Sequence, residues 1–263
     1  MFNLLSHAKL NLSLEVNSLL DNGFHNLTSI MHTLHLHDEI SISHSKNTKT
    51  VFIPSTVEGS NNSILDAVHL FQQEFHIPDQ VEIVTTKNIP TSSGLGGGSS
   101  NSTAVLKELI KINKLEVELS KQRELAFQLS SDSPFFVSGG CSLVEGQGEK
   151  ITTGLGINNL WSIIFTPLNI EISNKTRFMY SLLSKQHYSD GSITAEIFNS
   201  INHCLFMFLD RKGFLHRKII VYTDIVSFRT FSTGSFIPRI RQIMDLHNSF
   251  PISNRFSCQL VIR

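Results

Sequence analysis

The chain has 263 residues, of which 40% are hydrophobic, and its 22 basic and 22 acidic residues give a formal net charge of zero. This length and apolar content predict a globular protein with a substantial core, in one large domain or two modest ones. Three widely spaced cysteines, Cys141, Cys204 and Cys258, argue against a disulfide framework and a zinc knuckle. The sequence has no window of roughly 20 apolar residues and no leader-like N-terminus, so we expect a cytoplasmic protein with no membrane partner.

The first predicted element is a half-buried strand at residues 8–16, where apolar and polar residues alternate. Lys9, Asn11 and Ser13 share one face of this strand. A solvated strand face is the alternative to a functional one, because a lysine is usually exposed.

A turn at residues 21–25 introduces Phe24 and His25 ahead of a second predicted strand at 31–38. Four histidines lie on this strand or near it: His32, His35, His37 and His44. Ligands two residues apart on a strand can converge on a metal ion, but no cysteine or clear third ligand is nearby in sequence. A polar strand face is therefore the better interpretation, and we expect no metal site built from protein side chains.

Short strands and helices follow in alternation up to the middle of the chain. We predict strands at 39–45, 50–54 and 81–85 and helices at 63–75 and 104–110. The apolar residues of the first helix recur at the spacing of one buried face: Ile64, Leu65, Val68, Phe71 and Phe75.

A glycine-rich segment joins the strand at 81–85 to the helix at 104–110. It consists of Pro90, Thr91, Ser92, Ser93, Gly94, Leu95, Gly96, Gly97, Gly98, Ser99 and Ser100. Glycines let several backbone N–H groups turn toward one point, and residues 99–101 are suited to open a helix, so the segment predicts a phosphate cradle. A flexible linker and a tight turn are the alternatives. Neither the P-loop pattern nor the dinucleotide fingerprint fits, because no Lys-Ser or Lys-Thr follows the glycines and no clear acidic partner comes later.

The next elements are a predicted helix at 120–129, a turn leading into a strand at 139–146, and a buried strand at 160–165. Asp132 precedes a proline-led apolar run, where a turn or cap aspartate is the alternative to a functional one. The polar connection at 152–159 is the candidate domain boundary.

The end of the chain differs in composition. From residue 204 on it contains nine of the 22 basic residues, only three of the acidic ones, and no alanine or glutamate. Such a tail is typical of a nucleic-acid arm, but many Phe, Ile and Leu residues and the lack of low complexity argue against a nucleic-acid partner. An altered reading frame and a diverged end both remain open.

Five segments, in this order, resemble the kinase superfamily of galactokinase, homoserine kinase, mevalonate kinase and phosphomevalonate kinase, and within it the family of 4-diphosphocytidyl-2-C-methyl-D-erythritol kinases. The segments are residues 8–12, 23–25 with the following strand, 90–101, 132–136 and 145–150. The resemblance implies an α+β fold of two domains. A ribosomal-protein-S5-like domain at 1–153 would hold ATP and the catalytic groups, and a ferredoxin-like domain at 154–263, atypical from about residue 204, would close over the substrate.

The resemblance also implies roles for single residues. Residues 90–100 would wrap the ATP phosphates, Asp132 would accept the proton of the substrate hydroxyl, and Lys9 would hold charge beside it. Phosphoryl transfer needs this positioning and neutralisation more than covalent chemistry, and Mg²⁺ would bridge phosphate oxygens while keeping several waters.

For the acceptor, the resemblance implies a small-molecule partner, a cytidine diphosphate-linked methylerythritol, whose 2-hydroxyl is phosphorylated by a monomer or homodimer. Phe24, His25 and Phe178 would form the cytidine pocket, and Asn11 would contact the substrate. Two aromatic rings can sandwich a pyrimidine at about 1–3 kcal/mol per base. A core aromatic is the alternative for Phe178.

The sequence departs from the family near its end, where Phe231-Ser232-Thr233-Gly234-Ser235 stands in place of a third glycine motif of the form Gly-Ser-Gly-Pro-Thr. A catalytically impaired nucleotide-binding relative and another small-alcohol kinase are therefore alternatives. A penicilloyl-serine type hydrolase is a third, because Ser6 and Lys9 spell Ser-x-x-Lys, although the Lys-Thr-Gly strand of such enzymes is absent.

Overall fold

The computed structural model describes residues 1–54, 62–78, 80–157, 161–167, 175–203, 218–223, 229–232 and 256–261. The chain divides into two compact units: Met1–Gly156 with Thr176–Asn199, and Ile157–Lys175 with Ser200–Arg263. The predicted domain boundary after residue 153 stays a prediction, and the segment Thr176–Asn199 packs with the first unit. Most of the basic tail that begins at residue 204 lies outside the described residues.

The first unit carries a mixed sheet with helices packed against it. Its strands are β1 (Phe2–Leu19), β2 (His25–His44), β3 (Lys49–Ile53), β4 (Val81–Thr86), β5 (Cys141–Gly146) and β6 (Lys150–Gly154). Its helices are α1 (Ser63–Phe75), α2 (Gly97–Ile112), α3 (Leu119–Leu129) and α4 (Ser133–Ser138), followed by α5 (Lys175–Ser181), a 3₁₀ turn (Lys185–His187) and α6 (Ser192–His203). The strand order is β3-β4-β2-β5-β6, with β1 paired to β2. Only the β3–β4 pair is parallel among the described strands of this sheet.

The strand β2 is the central strand of the sheet and pairs with β1 along most of its length. β1 confirms the predicted first strand, which is longer at both ends than expected. Residues 31–44 are in a strand as predicted, but the division into two strands at 31–38 and 39–45 is wrong, because β2 runs through both without a break. The register shifts between the pairs His7↔His37 and Lys9↔Thr33, which marks a bulge. Residues 8–10 are consequently all buried, although a regular half-buried strand alternates.

The main core lies between the sheet and the helices α1, α2 and α3. Members of this cluster include Phe71 from α1, Ile40, Ile42 and Ile83 from the sheet, and Leu106 and Leu109 from α2. The helix predicted at 63–75 is confirmed with the same bounds. Asn62 caps it, since its side-chain oxygen accepts a hydrogen bond from the backbone N–H of Leu65 at 3.3 Å.

The later segment of the first unit, Thr176–Asn199, contacts β1. The backbone N–H of Ser189 donates to the carbonyl of Val16 at 3.0 Å, and the backbone N–H of Thr194 donates to Glu15 Oε2 at 2.6 Å. Burial raises the pKa of Glu15, but hydrogen bonds from Thr194 and Ser189 outweigh it and leave the pKa below its ordinary value. The start of α6 is thereby fixed to the strand that carries Lys9.

The second unit contains a sheet in the order β10-β7-β8-β9, built from β7 (Trp161–Pro167), β8 (Lys218–Thr223), β9 (Arg229–Ser232) and β10 (Phe256–Val261). β7 corresponds to the strand predicted at 160–165. The connection predicted at 152–159 begins later, because β6 continues to Gly154. Residues 231–235 stand in place of the third glycine motif, and of these, residues 233–235 lie outside the described residues.

In the described part of the chain, none of the helices has the length and apolar character needed to cross a membrane.

Candidate active site

The glycine-rich segment leads from β4 into α2, as predicted, but the helix begins at Gly97 and not at the serines. Gly96 is the N-cap residue and has a left-handed backbone with φ of 70°, which glycine adopts without steric cost. No side chain caps the helix there. The first backbone N–H groups of α2 and the positive end of its dipole are therefore available to an anion such as phosphate.

Glycine at position 96 is also required by close packing against two site residues. A β-carbon built there would lie 2.8 Å from Phe136 Cζ and 3.0 Å from Lys9 Cγ. The backbone N–H of Lys9 donates to the carbonyl of Leu95 at 2.9 Å. The loop is thus held directly against β1 at the position of the predicted catalytic lysine.

The structure brings together three of the predicted site residues. Lys9 Nζ lies 3.4 Å from Asp132 Oδ2 and donates to Asn11 Oδ1 at 3.3 Å. The Lys9 side chain is 6% exposed, whereas that of Asp132 is 32% exposed. A buried ammonium therefore lies beside a carboxylate that an incoming hydroxyl can reach from solvent.

Serine hydroxyls connect the elements around this ion pair. Ser130 Oγ donates to Ser99 Oγ at 2.7 Å and lies 2.7 Å from Ser133 Oγ. Thr103 Oγ1 donates to the carbonyl of Ser133 at 3.2 Å. These bonds fix the start of α4 against the first turns of α2. Asp132 is the N-cap residue of α4, and its side chain makes no capping hydrogen bond.

The hydroxyl of Ser6 is also part of the loop's support. Ser6 is buried and its Oγ donates to Ser100 Oγ at 2.7 Å, and Ser100 Oγ donates to the carbonyl of His7 at 2.6 Å. Because Ser6 is engaged with Ser100 while the ammonium of Lys9 faces Asp132, this arrangement argues against the Ser-x-x-Lys hydrolase alternative.

A second group of predicted residues lies at the turn between β1 and β2. Phe24 is 56% exposed, and Phe178 on α5 is 48% exposed. His25 is covered by two tyrosines that the sequence did not single out. Its ring centroid lies 5.1 Å from that of Tyr180 and 5.9 Å from that of Tyr188, whose hydroxyl is 3.4 Å from His25 Nε2.

The histidines of the β1–β2 pair form a ring cluster. His7 lies 5.3 Å from His37 and 6.4 Å from His35 between ring centroids. Burial lowers the pKa of His7, and the two neighbouring histidines lower it further, against a hydrogen-bond contact with the carbonyl of Leu34. In the described residues, no group of His, Cys, Asp or Glu is arranged to hold a metal ion.

Comparison with known proteins places this geometry in a family. The model of the GHMP kinases N terminal domain matches residues 62–140. The chain is 35% identical over 76% of its length to a 4-diphosphocytidyl-2-C-methyl-D-erythritol kinase from Dehalococcoides mccartyi, of which it covers 71%. It is also 35% identical to a kinase of the same name from Pseudothermotoga lettingae, over 70% of this chain and 66% of the relative, so the match spans just under two thirds of that relative.

Solved structures show the same fold. The crystal structure of a 4-(cytidine 5'-diphospho)-2C-methyl-D-erythritol kinase superposes with a TM-score of 0.63 at 21% identity, covering 98% of both chains. A mevalonate pyrophosphate decarboxylase from Streptococcus pyogenes superposes with a TM-score of 0.57 at 13% identity, covering 99% of this chain and 96% of the other. Taken with the curated relatives, these matches show that the chain belongs to the family of 4-diphosphocytidyl-2-C-methyl-D-erythritol kinases, small-molecule kinases with the mixed α+β fold of the GHMP kinases.

Proposed function

We propose that this chain transfers the γ-phosphoryl group of ATP to the 2-hydroxyl of 4-diphosphocytidyl-2-C-methyl-D-erythritol, a step of the non-mevalonate isoprenoid precursor pathway. The observation that carries the proposal is the Lys9–Asp132 ion pair, 3.4 Å long, beside the uncapped start of α2. Relatives named for this reaction, at 35% identity over three quarters of the chain, support the choice of acceptor.

In the proposed reaction the acceptor oxygen attacks the γ-phosphorus, the bond from that phosphorus to the bridging oxygen breaks, and ADP leaves. Asp132 orients the hydroxyl and takes its proton. The ammonium of Lys9 stabilises the charge that develops on the transferring group, and it acts strongly because its side chain is shielded from water. Asn11 holds that ammonium in place from the other side.

The loop of residues 90–100 binds the phosphate chain through the backbone N–H groups at the start of α2. Mg²⁺, when bound together with ATP, would be held mainly by phosphate oxygens and water and would neutralise part of the phosphate charge. The phosphate chain is thus held by the backbone of the loop and by the charge of Lys9.

For the acceptor, we propose that the exposed Phe24 ring stacks on the cytosine while His25 contacts its polar edge. The Tyr188 hydroxyl contacts His25 Nε2, and the Tyr180 ring lies beside the imidazole at a tilt of 36°. Phe178, half exposed on the same helix as Tyr180, is a further stacking candidate.

We also propose that the enzyme has two domains and acts in the cytoplasm. An N-terminal domain at 1–153 holds ATP, and a ferredoxin-like C-terminal domain at 154–263 closes over the acceptor. The sparse, widely spaced cysteines support a reducing, cytoplasmic setting. The enzyme acts on a free small molecule, as a monomer or homodimer, without nucleic acid or membrane.

The test is ATP consumption by the purified chain with Mg²⁺ and 4-diphosphocytidyl-2-C-methyl-D-erythritol, mevalonate or homoserine. We expect turnover with the cytidylyl acceptor alone. Lys9→Ala and Asp132→Asn should each lower turnover by about 10²–10⁴-fold, because each removes a group that acts on the transferring proton or charge. The matched control is Lys121→Ala, which removes an exposed lysine paired with Glu74 on the helical surface, and it should retain full activity. Full activity of either site variant would contradict the assigned roles.

The second candidate is a nucleotide-binding relative without turnover, favoured by the sequence at 231–235, which lacks the third glycine motif. A folded protein that binds ATP but phosphorylates none of the three acceptors would establish this candidate in place of the first.

A further inference from the structure

One buried carboxylate lies under the glycine loop and is not used in the reaction described above. Asp38 belongs to the central strand β2 and is completely buried. Its Oδ1 accepts the backbone N–H groups of Asn88 at 2.7 Å and Ile89 at 2.8 Å. Its Oδ2 accepts from Asn101 Nδ2 at 3.0 Å and forms an ion pair with Lys87.

These partners lie at the two ends of the loop. Asn88 and Ile89 directly precede residues 90–100, and Asn101 directly follows them. One side chain of a central strand therefore holds the entry and the exit of the phosphate-binding segment at the same point.

A second tie runs from the neighbouring strand to the same place. Ser6 lies opposite Asp38 in the β1–β2 register, and its hydroxyl donates to Ser100 Oγ at 2.7 Å. Ser100 in turn donates to the backbone carbonyl of His7. The last residue of the loop is thus tied to β1, the strand that pairs with the one carrying Asp38.

The Asp38 contacts are charge-assisted and shielded from water. Its negative charge is balanced by Lys87, whose side chain is 9% exposed. Loss of the carboxylate would leave a buried ammonium without its counter-ion and weaken the bonds to the backbone N–H groups of Asn88 and Ile89. The affected groups are those that set the two ends of the loop. We therefore expect the loop to lose its fixed shape while the sheet keeps its own.

We propose that Asp38 is a positioning residue for ATP: it holds residues 90–100 in the conformation that receives the phosphate chain. The inference rests on the proposed role of that loop. A residue that only stabilises the fold would affect both substrates alike, whereas Asp38 should act on the ATP side of the reaction.

The test compares Asp38→Asn with wild type in the full chain. Asparagine keeps the shape and one acceptor oxygen, but it lacks the charge opposite Lys87 and turns an NH₂ group toward the donors. We expect the Kd of ATP, measured by calorimetry without acceptor, and the KM of ATP to rise about tenfold, which corresponds to about 1.4 kcal/mol. The KM of the cytidylyl acceptor should stay within about twofold of wild type.

The matched control is Glu82→Gln. Glu82 is also a carboxylate of this sheet, and it pairs with Lys49 at 2.8 Å, but at the surface and away from the loop. Because exposed ion pairs contribute little, this variant should bind ATP and the acceptor as wild type does.

A milder variant keeps the inference testable if Asp38→Asn does not fold. Asn101→Ala removes one bond to Asp38 and leaves the ion pair with Lys87 intact, so we expect the Kd of ATP to rise about threefold. An unchanged Kd of ATP in folded Asp38→Asn, or in Asn101→Ala where the first variant is unfolded, would overturn the inference, as would equal increases in both KM values. If wild type binds ATP without phosphorylating any acceptor, the proposed reaction fails, but the Kd of ATP still decides the role of Asp38.

Discussion

Substitution of Gly96 by alanine tests the packing at the centre of the site. The backbone at Gly96 has φ of 70°, and an alanine in this left-handed conformation costs about 1–2 kcal/mol. The added methyl group would also lie 2.8 Å from Phe136 Cζ and 3.0 Å from Lys9 Cγ. Overpacking of this kind costs a further 1–3 kcal/mol or so, for a total of roughly 2–5 kcal/mol.

The matched control is Gly140→Ala. Gly140 has φ of 74°, so the backbone cost is the same, but an added β-carbon there has no atom within 4 Å. We therefore expect Gly140→Ala to lower the free energy of unfolding by about 1–2 kcal/mol only. The difference between the two variants isolates the contact of residue 96 with Lys9 and Phe136.

The assays are thermal unfolding and ATP turnover. At about 2–4 °C per kcal/mol, Gly96→Ala should lower Tm by roughly 4–20 °C and Gly140→Ala by roughly 2–8 °C. Turnover should fall about 10²-fold in Gly96→Ala, because a shift of Lys9 by a fraction of an ångström to 1 Å misaligns the reacting groups. Turnover should be unaffected in Gly140→Ala. If both variants lose the same stability and keep wild-type turnover, the close packing of Gly96 on Lys9 has no functional consequence and the reasoning is refuted.

The pKa shifts of His7 and Cys141 should have measurable effects. Burial lowers the pKa of His7 below its ordinary value of 6.5, so its contribution to stability is complete above pH 6.5 and is lost as the pH falls through the lowered folded value. His7→Gln should therefore reduce the drop in Tm measured between about pH 7 and pH 5, and an unchanged drop would count against the assignment. Burial also raises the pKa of the Cys141 thiol to about 11, so iodoacetamide should modify this cysteine only after unfolding, as followed by peptide mass spectrometry. Rapid modification of Cys141 in the native protein would show that the thiol is accessible.

The parts of the site that sequence reasoning identified have strong local signals. A strand, a run of glycines and a helix in succession predicted the loop between β4 and α2, whose binding of phosphate stays a prediction. The resemblance named Lys9 and Asp132, which the structure brings to 3.4 Å. The exact start of α2 was wrong because serines favour the N-cap in general, whereas this N-cap has a left-handed backbone that suits Gly96.

The parts that were missed depend on contacts between distant residues. Asp38 is one aspartate within a strand pattern, and its partners Lys87 and Asn101 lie 49 and 63 residues later. Tyr188 meets His25 across 163 residues. No periodicity or motif spacing encodes such pairs, so only the packed fold reveals which polar residues support the loop and which rings cover the histidine.

Because Lys9 is buried, its side chain is already fixed in one conformation before ATP binds. A free lysine side chain loses up to about 2 kcal/mol of conformational entropy when it is fixed in one rotamer. Here Gly96 lies close against its stem, while Asp132 and Asn11 hold its ammonium before any ligand arrives. This entropy is therefore lost once, when the chain folds, and does not have to be lost again each time ATP binds. A lysine at the same point on a mobile loop would lose it in every catalytic cycle.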